Sequence, residues 1–405
     1  MTAERRDVHR PEVDRKNLLL VSHSREVGGA EVYLENVVRH IARGEAWQPT
    51  LICRRDSDID DWAESVARYC PVARLDVGRP NDVVRMARRM RAASLVQLNL
   101  SYPTGKYPFT VALLAASLGR PLVVTHHLAL RVGAPWHQLM VWLGRAAARH
   151  IAVSHHSAGV LLLDYGYPRE RLEVIHNGID ADLFHPATPD DRSRTRRAMG
   201  EMLEGKPWAE DMHVACTVAR LSTQKGLFDL IDAADRLRAL ENLRIVVIGE
   251  GGLRRILEQK IRETNLANRL FIAGSIPRRK VAEWMAASDL FILPSRYEGG
   301  PATALMEAMA CGCAVIATDV SGTNELVTDQ RFGRLVPAQS PPTLAEAIRE
   351  VLADPAERSA MASRGRQKVM TDFTIEVSMR KTEQVFGAAL GSSRSSRTAP
   401  TRTSG

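Results

Sequence analysis

The sequence lacks any apolar run long enough to cross a membrane. A membrane-spanning helix needs about 18 or more consecutive apolar residues, and none of the 405 residues lies in such a run. Residues 1–17 are polar and charged, whereas a secretory signal carries an apolar core. With 45% hydrophobic and 25% charged residues, the composition is typical of a globular protein. We therefore expect a cytoplasmic protein.

Cysteine is scarce and scattered. The five cysteines are Cys53, Cys70, Cys216, Cys311 and Cys313. An odd, unclustered set does not form a disulfide framework. Cys311 and Cys313 lack a second Cys or His pair at zinc-ligand spacing. We expect buried thiols rather than a metal site.

Charge of one sign is not concentrated anywhere. The formal net charge is +8, but the basic residues are spread along the chain and no nucleic-acid motif with interleaved aromatics occurs. A solvated basic surface explains most of them, so we predict no nucleic-acid partner.

Apolar strands alternate with amphipathic helices in two successive series. Continuous apolar strands of this kind predict parallel sheets covered by helices on both faces. The predicted strands of the first series are 17–24, 49–55, 94–100, 121–127 and 150–154. Those of the second are 213–219, 243–249, 269–274, 289–295 and 313–319.

The two series predict two domains of Rossmann-like α/β architecture. We place the first at 16–200 and the second at 201–371, with a final helix at 372–390 that crosses back onto the first domain. The polar ends, 1–15 and 391–405, lack periodicity and are predicted to be disordered. Two such sheets place their ligand crevices outside the carboxyl ends of the strands, so a deep cleft between facing domains is expected.

The glycine pattern disfavours a dinucleotide dehydrogenase. That class carries GxGxxG directly after its first strand, whereas REVGGAE follows the first strand here at 25–31. The glycines at 249, 251 and 252 follow the second strand of the second series.

The segment PSRYEGGPATALMEAMACG at 294–312 is the richest in chemistry. A strand ends near Pro294, and a Gly/Pro loop then leads into a helix that begins near Ala302. Loop amides and a helix N-terminus bind anions and hydroxyl-rich ligands. Glu298 in the loop and Glu307 in the helix can accept hydrogen bonds from sugar or ribose hydroxyls.

This segment resembles the signature of the retaining glycosyltransferases of family 4, which have the two-domain GT-B fold. Further matching segments occur in the same order along residues 18–330. They are GGAE at 28–31, VTHH at 124–127, VIHNGID at 174–180, VARLSTQKG at 218–226, VIGEG at 247–251 and FIAGSI at 271–276.

The resemblance implies roles for the two glutamates. Glu298 would contact the donor sugar and Glu307 the ribose hydroxyls. The family separates its glutamates by seven residues, whereas eight separate them here. An extra glycine in Gly299-Gly300, also assigned to the donor site, would form a bulge and leaves the register of Glu298 open.

The resemblance also places two cations and a glycine turn on the donor diphosphate. Arg220 and Lys225 would stabilise the charge of the departing nucleoside diphosphate, in a role where one preorganised donor is worth roughly 3 kcal/mol. Gly28 and Gly29 would let backbone amides approach a phosphate closely. With these groups present we predict metal-independent catalysis.

The remaining site residues follow from matched positions. His127, at the end of a first-domain strand, is predicted to lie near the sugar hydroxyls. The adjacent His126 would point to the opposite face and is the less favoured candidate. Gly249 and the pair Ser275-Ile276 match positions that hold the donor, the last two through backbone contacts to the nucleobase.

The resulting prediction is transfer of a sugar from a nucleotide-diphosphate sugar to a hydroxyl acceptor with retention of configuration. The acceptor could be a polysaccharide, a lipid-linked sugar or a natural product. The resemblance favours UDP over GDP, because UDP is the more common nucleotide among similar proteins, although no residue of this sequence decides between them. No cofactor is expected. A sugar-nucleotide 2-epimerase or a non-catalytic sugar-nucleotide-binding protein remain alternatives, whereas a phosphorylase would need a pyridoxal-binding lysine motif. Peripheral membrane contact is a further option, through the arginine-rich helix 82–93 and the tryptophans Trp136 and Trp142.

Overall fold

The computed structural model describes residues 15–55, 59–298, 300 and 302–395. Predictions that concern residues 1–14, Gly299 and residues 396–405 lie outside the described residues. Two parallel sheets form the frame, and the predicted α/β architecture with two Rossmann-like domains is confirmed.

The first sheet has seven described strands in the order β3-β2-β1-β4-β5-β6-β7. They are β1 (Lys16–Ser22), β2 (Trp47–Cys53), β3 (Val72–Arg74), β4 (Leu95–Leu100), β5 (Leu122–His126), β6 (Arg149–Ala152) and β7 (Leu172–Val174). The helices of this half are α1 (Gly29–Arg43), α2 (Asp60–Ala67), α3 (Pro80–Ala92), α4 (Lys106–Ser117), α5 (Trp136–Ala146) and α6 (His155–Leu163).

The second sheet has six described strands in the order β10-β9-β8-β11-β12-β13. They are β8 (His213–Val218), β9 (Leu243–Ile248), β10 (Leu270–Gly274), β11 (Leu290–Leu293), β12 (Ala314–Thr318) and β13 (Arg334–Val336). The helices that follow the first half are α7 (Pro189–Glu204), α8 (Leu227–Asp235), α9 (Arg254–Glu263), α10 (Arg278–Ala287), α11 (Thr303–Ala310), α12 (Thr323–Leu326), α13 (Pro341–Ala353), α14 (Pro355–Asp372) and α15 (Ile375–Ser395).

Burial of the strands on both faces explains their continuous apolar sequences. In β1, Leu18 and Leu20 pack into the layer on one face, while Leu19 and Val21 pack into the layer on the other. Because successive side chains of a strand alternate between faces, a strand covered on both sides needs apolar residues at every position.

Strand order puts a switch point in the middle of each sheet. In the first sheet β1 lies between β2 and β4, with Ser22 opposite Asn99 at the carboxyl ends. In the second sheet β8 lies between β9 and β11. The loops after β1, β4, β8 and β11 therefore border the crevices where such folds bind ligands.

Two chain crossings connect the halves. The segment after β7 meets the segment between α14 and α15, where the Ile179 amide donates to the Phe373 carbonyl at 2.8 Å and the Ile375 amide donates to the Ile179 carbonyl at 3.2 Å. A Cβ at Gly178 would lie 2.5 Å from the Ile375 Cα, so the close approach requires glycine.

Two helices lie near the predicted domain limits, which stay predictions. The boundary predicted after residue 200 falls inside α7, where Arg196 forms an ion pair with Asp289 of the second half. Helix α15 lies on the first sheet, with Phe386 against Trp47 at a ring distance of 5.6 Å. It continues to Ser395, beyond residue 391 where the tail was predicted to begin.

Three strands are absent from the sequence prediction. Strands β3, β7 and β13 each have three residues and lie at sheet edges.

Within the described residues, no helix is both long and apolar enough to span a bilayer. All five cysteines are buried and unpaired.

Candidate active site

Loops from the two halves meet across a cleft at the predicted diphosphate site. A Cβ at Gly28 would lie 3.8 Å from the Arg220 Nη2, and one at Gly29 would lie 3.8 Å from the Thr303 Oγ1 at the start of α11. Arg220 Nη1 lies 3.2 Å from the Glu26 Oε2. The structure therefore brings together the glycine turn of the first domain, Arg220 of the second and the N-terminus of α11.

The glycine turn is held by a buried glutamate. The Gly28 amide donates to the Glu31 Oε2 at 3.1 Å, and the Ser22 hydroxyl donates to the Glu31 Oε1 at 3.3 Å. Burial raises the pKa of Glu31, against these hydrogen bonds. The Gly28 amide is thus already engaged, whereas the Gly29 amide has no acceptor among the described residues. Of the two amides, that of Gly29 is the one open to a phosphate.

Lys225 is tied to the loop that carries Glu298. Its Nζ lies 2.6 Å from the Glu298 Oε1, which also accepts a hydrogen bond from the Ser295 hydroxyl at 2.6 Å. The following Gly226 has φ 61°, and a Cβ there would lie 1.9 Å from the Pro294 carbonyl oxygen. Only glycine allows this approach, so the turn after β8 and the loop after β11 are fixed against each other.

Glu307 lies on α11 with its carboxyl group almost fully buried. Burial raises the pKa of Glu307 to about 7, although Arg278 at the start of α10 acts in the opposite direction. The Arg278 Nη2 lies 3.2 Å from the Glu307 Oε1. The carboxyl group therefore changes charge near neutral pH beside a fixed cation.

His127 lies in the first domain, directly after the last residue of β5. Its Nε2 is 2.6 Å from the Asn99 Oδ1, and its ring meets that of Tyr33 edge-on at 5.1 Å. Burial, together with the neighbouring His23, lowers the pKa of His127 to about 3. The Ser101 amide donates to the His23 Nε2 at 3.1 Å. The imidazole is consequently neutral at physiological pH.

His126 belongs to the interior on the other side of the strand. Its Nε2 lies 3.2 Å from the His150 Nδ1, and its ring meets that of Tyr167 edge-on at 5.5 Å. Burial lowers the pKa of His126 well below its ordinary value. These contacts give His126 a packing role, and the placement of His127 at the donor sugar stays a prediction.

The other predicted donor residues lie on loops of the second domain. Gly249 has φ 141°, and a Cβ there would lie 2.0 Å from the Ala219 carbonyl oxygen. Ser275 is exposed directly after β10, and Ile276 is half-buried. A Cβ at Gly300 would lie 3.1 Å from the Val153 Cγ2 of the first domain. The donor contacts of these residues stay predictions.

A second interdomain contact lies beside the cleft, at the ends of β6 and β12. The Glu325 carboxylate accepts hydrogen bonds from the His155 and His156 amides at 2.9 and 3.1 Å, and lies 2.8 Å from the His176 Nε2. The potential ligand atoms of His155, His176 and Glu325 lie within 4.8 Å of one another. Because helix capping already uses both carboxylate oxygens, this geometry is explained without a metal ion.

A cavity of about 640 Å³ opens next to this contact. It adjoins the donor loop through Arg296 and Tyr297, which directly precede Glu298. The described residues that line it are His155, His156, Arg296, Tyr297, Val320, Ser321, Asn324 and Glu325. None of them is a predicted donor residue.

Sequence reasoning missed the residues that support the predicted ones. Glu26, Glu31, Asn99, Arg278 and His23 each contact or lie beside a predicted site residue. Asn99 and His23 do carry a signal, because each is a polar residue at or just past the end of a central strand.

Two family models match the chain in succession. Residues 27–183 match Glycosyltransferase Family 4, and residues 200–368 match Glycosyl transferases group 1. The alpha-maltose-1-phosphate synthase of Mycobacterium tuberculosis is 31% identical over 278 residues, which cover 63% of this chain and 69% of that protein. The chain is a family 4 glycosyltransferase. The predicted family and enzyme class are confirmed.

Another relative of this family 4 glycosyltransferase matches over a shorter segment. The D-inositol 3-phosphate glycosyltransferase of Xylanimonas cellulosilytica is 31% identical over 220 residues, which cover 53% of this chain and 51% of that protein. The segment shared with that relative is therefore about half of each chain.

Solved structures show the same fold over nearly the whole chain. Anabaena HepE in complex with UDP superposes with a TM-score of 0.80 at 22% identity, covering 92% of this chain and 100% of that one. Sucrose-phosphate synthase from Thermosynechococcus elongatus gives a TM-score of 0.74 at 21% identity, covering 93% and 100%. The family 4 enzyme thus has the predicted GT-B fold.

Proposed function

We propose that this glycosyltransferase moves a sugar from a UDP-sugar to a hydroxyl acceptor with retention of configuration. The observation that carries the proposal is the convergence of the Gly28-Gly29 turn, Arg220 and the N-terminus of α11 across the cleft. An amide, a guanidinium and a helix N-terminus are the groups that bind a diphosphate.

The choice of nucleotide rests on the structural relatives. Anabaena HepE has been solved with UDP and with UDP-glucose, and its fold matches along 92% of this chain. In the proposed complex, the ribose hydroxyls of UDP donate to the ionised Glu307, and the nucleobase contacts the backbone at Ser275 and Ile276.

In the proposed mechanism, the bond between the anomeric carbon and the donor phosphate oxygen breaks on the face where the acceptor oxygen attacks. The acceptor proton passes to that phosphate oxygen, which leaves with UDP. Arg220 and Lys225 stabilise the growing negative charge, as preorganised charges do in a site shielded from water. In the proposed complex, Glu298 contacts the donor sugar while Lys225 and Ser295 hold its carboxylate.

Double displacement through an enzyme carboxylate is the rival route to retention. Glu31 is a poor nucleophile because both its oxygens accept hydrogen bonds from the glycine turn and Ser22. Glu26 is exposed at the cleft and paired with Arg220, so its replacement by glutamine tests the rival route directly.

The donor is tested by thermal shift with UDP-glucose, UDP-galactose, UDP-N-acetylglucosamine and GDP-mannose. We expect the UDP-sugars to raise the melting temperature, because a ligand that binds only the folded state stabilises it by mass action. Stabilisation by GDP-mannose alone would contradict the proposed nucleotide.

The reaction is proposed to proceed without a divalent metal ion, since Arg220, Lys225 and the loop amides supply positive charge for the diphosphate. We expect the transfer rate to be unchanged after incubation with EDTA. A loss of activity that added Mg²⁺ or Mn²⁺ restores would contradict this.

Peripheral membrane contact stays a proposal, and the exposed basic face of α3 is the surface that supports it. Helix α3 exposes Arg85, Arg88, Arg89 and Arg91. The two tryptophans serve packing, since both lie against the core of the first domain and Trp136 stacks on Phe109 at 5.8 Å. Cosedimentation with anionic, but not neutral, vesicles would support contact through α3.

A further inference from the structure

The fully buried side-chain amide of Asn99 links His127 to the helix that carries the glycine turn. Asn99 stands at the carboxyl end of β4, its Oδ1 2.6 Å from the His127 Nε2. Its Nδ2 donates to the Ala30 carbonyl at 3.1 Å. Ala30 lies in the first turn of α1, directly after Gly28 and Gly29. One side chain therefore touches both the histidine and the helix that carries the turn.

The Ala30 carbonyl fixes which way the Asn99 amide points. A carbonyl oxygen only accepts hydrogen bonds, so the NH₂ group must face Ala30. The Asn99 Oδ1 must then face His127, and this oxygen also only accepts. The hydrogen between Asn99 and His127 consequently belongs to the His127 Nε2.

The charge state of His127 completes the assignment. Burial and the neighbouring His23 lower its pKa to about 3, so the ring holds a single proton at neutral pH. A neutral imidazole with its hydrogen on Nε2 has a bare Nδ1, which can accept a hydrogen bond but cannot donate one.

We propose that Asn99 is a positioning residue that holds His127 as the Nε2-protonated tautomer, leaving Nδ1 to accept a hydrogen bond from a sugar hydroxyl. The tautomer follows from the contacts of this chain alone, whereas its use in transfer rests on the proposed function. Asn99 also fixes the spacing between His127 and the Gly28-Gly29 turn through Ala30. A displacement of about 1 Å in such a constellation can cost two orders of magnitude in rate.

The direct test is long-range ¹H–¹⁵N NMR on full-length protein labelled with ¹⁵N-histidine, with the His127 signals assigned by His127→Gln. We expect the wild type to show the Nε2–H tautomer at pH 7. A wild type with the hydrogen on Nδ1 would overturn the proposal.

Two variants of Asn99 separate the effect of its hydrogen-bond acceptor, Oδ1, from the effect of its side-chain volume. Asn99→Leu removes the acceptor, so we expect mixed tautomers and a fall in kcat of about 10-fold or more, with a smaller change in KM for the donor. Asn99→Asp keeps an acceptor beside Nε2 but loses the donor to the Ala30 carbonyl, so it should keep the hydrogen on Nε2 while weakening the link to α1. An Asn99→Leu protein with wild-type tautomer and wild-type kcat would refute the positioning role.

Gln97→Leu is the matched control. Gln97 is a second fully buried side-chain amide on the same strand. Its Nε2 donates to the Thr125 Oγ1 at 2.8 Å and to the Tyr33 hydroxyl at 3.5 Å, so it reaches His127 only through the packing of the Tyr33 ring. This variant carries a comparable packing defect, but should leave the His127 tautomer unchanged.

If Asn99→Leu does not fold, Asn99→Asp and the wild-type spectrum still decide the assignment. An Nε2–H tautomer in a protein that transfers no sugar from any UDP-sugar would count against the proposed function alone.

Discussion

Arg220 pairs with Glu26 across the interdomain cleft, with 3.2 Å between Nη1 and Oε2. Both side chains are more than half exposed, so the pair is weak in itself. Its position is what matters, because Gly28 approaches the same guanidinium. In the free enzyme, the Glu26 carboxylate thus engages the cation that we propose binds the donor diphosphate.

Glu26→Gln should therefore strengthen donor binding. An exposed ion pair is worth up to about 1 kcal/mol, which corresponds to a two- to fivefold lower Kd for UDP-glucose by titration calorimetry. Glu64→Gln, the same change of charge on the exposed face of α2, should leave the Kd unaltered. An unchanged or higher Kd in Glu26→Gln would contradict competition between Glu26 and the donor, and loss of all turnover would point to Glu26 as a nucleophile.

Glu307 should make donor binding dependent on pH. Because the pKa of Glu307 lies at about 7, the group is mostly protonated at pH 6 and mostly ionised at pH 8. The ionised form accepts stronger hydrogen bonds from ribose hydroxyls. We expect the affinity for UDP-glucose to rise by up to about tenfold from pH 6 to pH 8, in a ligand whose phosphates do not titrate over this range.

The Glu307→Gln variant is the control for this pH dependence. It should bind UDP-glucose with nearly the same Kd at both pH values. By linkage, a carboxyl whose pKa is raised by folding makes the free energy of unfolding fall as pH rises from its ordinary value of 4.5 to about 7. The variant should lose that fall as well. Equal pH profiles for variant and wild type would assign the effect to another group.

Gly249 should tolerate no side chain. Its φ of 141° is rarely adopted by other residues, and a Cβ would lie 2.0 Å from the Ala219 carbonyl oxygen. Gly249→Ala should lower the free energy of unfolding by about 2 kcal/mol or more. Gly252→Ala adds a methyl group with nothing within 4 Å, so it should stay within about 0.5 kcal/mol of wild type in chemical denaturation. Equal stability of the two variants would disprove this reading of the loop.

Much of the fold could be predicted because central strands of a covered parallel sheet are apolar at every position. The run LLLV at 18–21 is buried on both faces for this reason. Strands β3, β7 and β13 were missed because three residues are too few to show a hydrophobic pattern. Their positions are determined by pairing with the adjacent strands β2, β6 and β12.

The turns that shape the candidate site could be predicted where the backbone requires one residue type. Gly226 and Gly249 occupy positive φ in tight approaches, and such positions leave a mark in the sequence. No sequence pattern identifies the residues that contact Arg220 and His127. Glu26 and Asn99 come from loops and strands distant in sequence, and only the folded chain places them in contact with Arg220 and His127.

The most direct measurement of the central claim is steady-state kinetics of Arg220→Ala and Lys225→Ala with a UDP-sugar donor. Arg255→Ala, an exposed arginine on α9, is the control. Because one preorganised charge at the leaving group is worth roughly 3 kcal/mol, we predict that each of the first two variants loses about two orders of magnitude or more in kcat, while the control keeps the wild-type rate. Near-wild-type kcat in both Arg220→Ala and Lys225→Ala would contradict a diphosphate site between the two domains.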